Sequence, residues 1–149
     1  VQLAKWKGAY VVATASASNH ELLRSLGVDE AIDYPTIPFE TVARDMDVVL
    51  DTIGGETQSR SWPVLKKGGI LVSIISPPSR QEAAAHGVRQ AGIVLQPTLA
   101  WLQETTKLVD SGRLRCIVGT VLPLSEARRA HELIQTGHAP GKIVLEVHC

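Results

Sequence analysis

The sequence predicts an α/β protein built on a doubly wound parallel sheet, and two observations predict it. Short apolar runs rich in β-branched residues recur at positions 10–16, 30–34 and 47–51, and again at 70–75. Runs of this length, bounded by turn residues, read as strands of a buried parallel sheet. Helical patterns stand between them, at 18–26 and 56–65, in the places where crossover connections belong. Such a sheet gathers its ligands at the carboxyl edge of the strands. Here that edge holds Thr14, Ala15, Ser16, Tyr34, Asp51, Thr52, Ile53 and Gly54.

Each element follows from local chemistry. Residues 1–7 have helical character and Gly8 suits the position after a helix end, but no Ser, Thr, Asp or Asn precedes them as a cap, so the start of this helix is expected upstream. After the first strand, Ser18 and Glu21 have capping-box spacing and open a helix that carries Leu22, Leu23 and Leu26 and stops at Gly27. A strand over 31–34 follows. Pro35 and Pro38 then force an irregular link, with Phe39 and Val42 anchoring a helical turn. The third strand, 46–51, closes in Gly54 and Gly55. The helix over 56–65 turns Trp62 and Leu65 inward, Pro63 limits its regular part, and Gly68 and Gly69 end it.

The fourth strand, 70–75, is turned away by Ser76, Pro77 and Pro78, and a short Ala-rich helix over 81–85 ends near Gly87. A fifth strand begins at Val88 and ends at Leu95, before Pro97. Leu99, Leu102, Thr106 and Val109 line one helical face that ends at Gly112. A strand over 116–122 comes next, then a helix capped by Ser125, stapled by Leu124 and carrying Ala127, Ala130, Leu133 and Ile134, and finally a strand over 142–147. A composition break at 113–116 is the best internal boundary.

Composition bounds the function. Lys plus Arg and Asp plus Glu stand at 15 each with no basic block, which argues against a nucleic-acid surface or a polybasic membrane anchor. No apolar run approaches the roughly 20 residues that span a bilayer, and no basic-then-apolar leader opens the chain. Cys116 and Cys149, one inside an apolar run and one terminal, suggest a reduced, cytoplasmic protein. His20, His86, His131, His138 and His148 have no metal-binding spacing with one another or with the cysteines, and no Gly-x-Ser-x-Gly elbow or Cys–His nucleophile pattern occurs. No catalytic residue can be assigned within the chain.

Chemistry therefore rests on the sheet edge. Where enzymes that use an unphosphorylated dinucleotide place a carboxylate on the ribose, this chain has Thr14-Ala15-Ser16-Ala17-Ser18-Asn19. Small hydroxyl and amide groups can donate to a 2′-phosphate that a carboxylate would repel. The same residues would equally make a polar strand-to-helix turn in which Ser18 only caps. Tyr34 could lay its hydroxyl on the same phosphate or serve as a strand-end aromatic. Thr52, Ile53 and Gly54 allow close approach of backbone to a ligand. Ser73 to Ser76, and Val94, Leu95 and Gln96, could offer main-chain groups to a planar ring.

The succession of Val1-Gln2-Leu3-Ala4-Lys5, Val12-Ala13-Thr14-Ala15-Ser16, Leu26-Gly27-Val28-Asp29-Glu30-Ala31-Ile32-Asp33-Tyr34, Asp47-Val48-Val49-Leu50-Asp51-Thr52-Ile53-Gly54-Gly55, Lys67-Gly68-Gly69 and Gly141-Lys142-Ile143-Val144-Leu145 resembles the carboxyl-terminal half of a medium-chain dehydrogenase/reductase. It is most similar to the zinc-independent, NADP-dependent quinone oxidoreductase branch. The resemblance implies a Rossmann-type cofactor domain, here lacking its first strand and Gly-rich loop, and hydride transfer between NADPH and a quinone, enone or related carbonyl compound. It places the 2′-phosphate on Ser16, Asn19 and Tyr34, the nicotinamide side on Ile74 and Ser76 and on Val94, Leu95 and Gln96, and a pyrophosphate-facing base on Lys142. Asn19 stands where relatives often have Lys, with His20 and Arg24 as the nearby cations that would compensate.

The expected organisation is a partial Rossmann cofactor domain over 1–115 and a segment over 116–149 that in a complete enzyme continues the sheet and returns to the catalytic domain. That amino-terminal catalytic domain, holding the substrate site and any zinc, would be this chain's partner, and no zinc is expected in this segment. A fragment of this kind would be inactive alone. A homodimer through the edge strand from Val88 to Leu95 is a further expectation. The alternatives are a non-catalytic nucleotide-binding or interaction module of the same fold and, more distantly, a methyltransferase, which would need an acid at the end of the first strand.

Overall fold

The computed structural model describes residues 1–94, 96–137 and 139–147. In chain order its elements are α1 (Gln2–Trp6), β1 (Val12–Ala15), α2 (His20–Ser25), β2 (Glu30–Asp33), α3 (Phe39–Val42), β3 (Met46–Asp51), α4 (Gly55–Ser61), β4 (Leu65–Ser73), α5 (Arg80–His86), β5 (Arg89–Gly92), α6 (Leu99–Asp110), β6 (Val118–Pro123), α7 (Ala127–Gln135) and β7 (Lys142–Glu146). The chain divides into two compact units, one of Val1 and Tyr10–Pro97, the other of Gln2–Ala9 and Thr98–Cys149. Among the described residues no helix is long and apolar enough to cross a membrane.

Every strand pair in the first unit is parallel. β1 pairs with β2 from Val12 opposite Glu30 to Ala15 opposite Asp33. β4 lies between β3 and β5, with Asp51 opposite Ser73 and Ser73 opposite Gly92. This is the expected α/β arrangement, with an interruption: the β1–β2 and β3–β4–β5 ladders are separate, and among the described residues no strand joins β1 to β3. The doubly wound order has its first strand at that position.

One continuous core serves both ladders. Trp62, Leu65, Leu71 and Ala83 form one buried group, and Ile32, Ala43 and Val64 another. Met46 and Val49 of β3 pack against both groups, so they bridge the two ladders from below. The other face of β3 is open. Val48 and Leu50 are 59% and 60% exposed, so the apolar run read as a doubly covered strand is covered on one face only. A bidentate pair, Arg60 Nε to Glu40 Oε1 at 2.8 Å and Nη2 to Oε2 at 2.7 Å, ties α4 to α3.

Several boundaries differ from the sequence reading, each for a local reason. Ser18 does not form a capping box. Asp33 Oδ1 accepts from Ala17 N at 2.8 Å and Ser16 O from Asn19 N at 2.9 Å, which tightens Ala17–Asn19 into a 3₁₀ turn ahead of α2. Gly68 and Gly69 do not end a helix but lie inside β4, which starts at Leu65 opposite Met46 and regains register at Ile70 opposite Val48. A Cβ on Gly69 would lie 2.9 Å from Lys66 O and 3.1 Å from Asp47 O, so only glycine fits that close strand approach. Pro63 sits at the start of a 3₁₀ turn, Trp62–Val64, that finishes α4. The fifth strand is shorter than expected, Arg89–Gly92.

The second unit holds α1, α6, β6, α7 and β7. Here β6 and β7 form a parallel pair of their own, and Gln2 clasps Arg115 through Nε2 to its carbonyl at 3.0 Å and through Oε1 from its amide at 2.8 Å. The stripe of Leu99, Leu102 and Val109 on α6 is exposed, whereas Leu108 is buried; periodicity found an apolar face, but packing selected the neighbouring one. Ser125 does not cap α7. It lies in a 3₁₀ turn, Leu124–Glu126, Leu124 is exposed rather than stapled, and Glu126 takes the cap position without a side-chain bond. Cys116 is an exposed free thiol; His138, His148 and Cys149 lie outside the described residues.

The core assignment makes a stability prediction. Leu71 is fully buried, so Leu71→Ala should cost about 3 kcal/mol in urea unfolding, while Leu50→Ala should cost under about 0.5 kcal/mol. Equal costs would contradict it.

Candidate cofactor site at the carboxyl edge of the sheet

Parallel register decides which residues share this edge. Ala15 pairs with Asp33, so Ser16 and Tyr34 leave their strands side by side. Asp51, Ser73 and Gly92 are likewise in line, so 52–55, 74–76 and the residues after Gly92 emerge together. Lys142, in the second unit, and Leu95, outside the described residues, apart, the expected site residues thus fall at two places on the edge, one per ladder.

The first cluster is a set of small donors. Ser16 Oγ lies 3.1 Å from Ser18 Oγ and accepts from Asn19 Nδ2 at 3.3 Å, while His20 Nε2 sits 3.2 Å from Ala15 O. The Tyr34 side chain is exposed and open to a ligand. Asp33 is a neighbour that the sequence reading left unused. Its carboxylate takes Ala17 N through one oxygen and Thr36 Oγ1, at 2.8 Å, through the other, which sets a negative charge beside the donors.

The second cluster is built on one carboxylate. Asp51 is 4% exposed, yet both of its oxygens are occupied. Oδ1 accepts from Ile53 N at 3.0 Å and Gly54 N at 2.8 Å; Oδ2 accepts from Gln58 Nε2 at 2.9 Å and Ser73 Oγ at 2.8 Å. Burial by itself would push the Asp51 pKa up, but the bonds from Gly54, Gln58, Ile53 and Ser73 outweigh it and hold the carboxyl below its usual range. Ser73 is buried too, and its Oγ accepts from Ile75 N at 3.2 Å. Gly54 has φ +78°, and a Cβ there would stand 3.0 Å from Ile75 Cγ2, so the two loops touch where only glycine fits.

Around this frame Thr52, Ile53, Ile74, Ser76, Val94 and Gln96 are exposed. Leu95 lies outside the described residues. Lys142 is exposed at the start of β7, in the second compact unit, and is described there by itself. Sequence reasoning missed Gln58 altogether, although a Gln one turn and a half after an Asp-x-x-Gly turn has the reach to close it. Among the described residues no group of three or more His, Cys, Asp or Glu is placed to hold a metal, so no step here is derived through zinc.

The geometry defines the class: a parallel α/β half-sheet whose carboxyl edge carries donors on one ladder and a rigid double loop on the other. Comparison with known proteins agrees with that class. The zinc-binding dehydrogenase family matches residues 26–145, and the chain belongs to it, as an oxidoreductase-type domain of the medium-chain dehydrogenase/reductase superfamily. It is similar to the quinone oxidoreductase structure from Coxiella burnetii, at 35% identity and a TM-score of 0.89, covering 99% of this chain and 48% of that one. It is 30% identical to the mouse (Mus musculus) NAD(P)H oxidoreductase RTN4IP1, mitochondrial, over 99% of this chain and 44% of the relative. The NADPH-dependent alkenal/one oxidoreductase, chloroplastic, of Arabidopsis thaliana is 33% identical over 97% of this chain and 36% of its own length. The chain thus spans about half the length, or less, of the relatives it matches.

The pKa directions set an acid dependence. Asp51 is held low as above, and Glu40 is held low chiefly by the Arg60 hydrogen bonds. A carboxyl whose folded pKa is depressed adds stability that is complete above its unfolded pKa, about 4, and is lost as pH falls through the folded value. The urea midpoint should therefore drop as pH falls below about 4, and Asp51→Asn should lower the midpoint near neutrality and flatten that drop. An acid limb unchanged by Asp51→Asn would contradict the assignment.

Proposed function

We propose that this chain is the cofactor-binding half of an NADPH-dependent oxidoreductase that reduces a quinone, enone or related carbonyl compound. The single observation that carries the reading is the paired edge: phosphate-sized donors at Ser16, Ser18 and Asn19 beside Tyr34 on one ladder, and the Asp51-framed loops on the other. The donor chemistry fits a phosphorylated adenosine, since hydroxyl and amide groups can all turn their hydrogens outward to a phosphate oxygen. The second ladder fits the nicotinamide end, with Thr52, Ile53, Gly54, Ile74 and Ser76 along it and Val94 and Gln96 following β5. Lys142 is assigned to the pyrophosphate by resemblance.

When bound, the cofactor supplies the hydride; the chain's own residues bind and orient it. The substrate site belongs to an amino-terminal catalytic domain, a reading supported by the chain's coverage of 44% to 48% of two relatives. No hydride transfer is expected from this chain alone, and zinc is assigned no place in it. Self-association through the β5 edge is part of the same proposal, supported by the exposure of Ile93 and Val94 beyond that strand. The two-cysteine composition supports a cytoplasmic setting, while two relatives carry mitochondrial and chloroplastic in their names.

One observation favours a second reading, NADH as the cofactor. The Asp33 carboxylate, bonded to Ala17 N at 2.8 Å, would repel a 2′-phosphate and suit free ribose hydroxyls. Titration of the full-length polypeptide with each cofactor, followed by nicotinamide fluorescence, decides between them. NADPH is expected to bind more tightly, and Asn19→Lys should tighten NADPH about fivefold while leaving NADH unchanged, the size of one exposed charge pair. Tighter NADH would reject the NADP assignment, and no response to either would reject the function.

A further inference from the structure

Asp51 is an unusual use of a buried carboxylate. The groups that satisfy it, the amides of Ile53 and Gly54, the Gln58 amide and the Ser73 hydroxyl, are all neutral. An apolar side chain of similar size would fill the same space without the desolvation cost of a charge. What an apolar residue could not do is hold two loops in a fixed relation.

Three links show that it does so. Oδ1 shapes the turn after β3 by gathering the amides of Ile53 and Gly54. Oδ2 orients Ser73 Oγ, which in turn accepts from Ile75 N and shapes the turn after β4. Gln58 Nε2, besides meeting Asp51, lies 3.3 Å from Ser76 O and closes the ring between the loops. Gly54 packed against Ile75 leaves no slack at their contact. From this frame the side chains of Ile53, Ile74 and Ile75 project at 69%, 52% and 57% exposure. Exposed isoleucines on two loops tied to each other offer apolar surface suited to a flat, weakly polar ring rather than to a phosphate.

We infer that Asp51, through Gln58 and Ser73, is the positioning residue of the nicotinamide half-site: it locks the 52–55 and 73–76 loops together so that the isoleucine platform is formed before the cofactor arrives. The inference rests on the nucleotide-binding reading above. It makes Asp51 and Gln58 matter for one end of the cofactor only.

Two ligands separate the ends. NADPH spans both clusters, whereas 2′,5′-ADP carries the phosphorylated adenosine without nicotinamide. In the full-length polypeptide, Asp51→Asn is expected to weaken NADPH about tenfold and Gln58→Ala about threefold, the cost of unpaired hydrogen-bonding groups, while 2′,5′-ADP stays within about twofold of wild type. If Asp51→Asn does not fold, Gln58→Ala decides, because Gln58 is only half-buried at the helix surface. Equal weakening of both ligands would mean a general loss of structure and would overturn the inference, as would unchanged NADPH binding. A wild-type protein that binds neither ligand would instead overturn the nucleotide-binding reading, and this inference with it.

Discussion

A carboxylate removed from water must find its hydrogen bonds inside the protein, and at the edge of this sheet that requirement organises everything around it. Asp51 lies opposite Ser73 because β3 and β4 are parallel and in register there. Its two oxygens draw on the loop after β3 for the amides of Ile53 and Gly54, on α4 for the Gln58 side chain and on the end of β4 for the Ser73 hydroxyl. The loops are therefore held by the strand end itself. Functional precision at this edge is a consequence of strand register.

The two ladders end differently. β1 and β2 end in short polar side chains that bond to one another and can be redirected to a ligand, an adaptable arrangement suited to recognising charge. β3 and β4 end in backbone turns held by Asp51, Gln58 and Ser73, an arrangement suited to shape. Met46 and Val49 give both ladders a common floor, so a ligand lying across the edge would meet adaptable donors at one end and a fixed ledge at the other.

Much of this was legible in the sequence because it depends on local chemistry. β3 falls on the apolar run at 46–51, α3 follows Pro38, and Ser16, Tyr34 and Thr52 stand at the ends of strands as the runs predict. The failures share a cause: they depend on partners distant in sequence. Ser18 is a sound cap by spacing, but Asp33, 16 residues away from Ala17, bonds to that turn and converts it to 3₁₀ geometry. The apolar stripe of α6 is genuine, yet which stripe is buried was settled by packing at Leu108. Gly68 and Gly69 look like a helix stop until Leu65 pairs with Met46 and draws them into a strand. Gln58 carried no signal of its own, because a polar residue on a helix reads as solvated until its reach to Asp51 is seen.

We propose that the carboxyl edge of β1 to β5 is a phosphorylated dinucleotide site with its nicotinamide end on the Asp51 frame. A crystal structure of the full-length polypeptide with NADP⁺ bound tests it most directly. The 2′-phosphate is expected within hydrogen-bonding distance of Ser16 and Asn19, and the nicotinamide ring against Ile53, Ile74 and Ile75 with the Asp51 bonds unchanged. A cofactor bound elsewhere, or bound in the reverse direction along the edge, would contradict it.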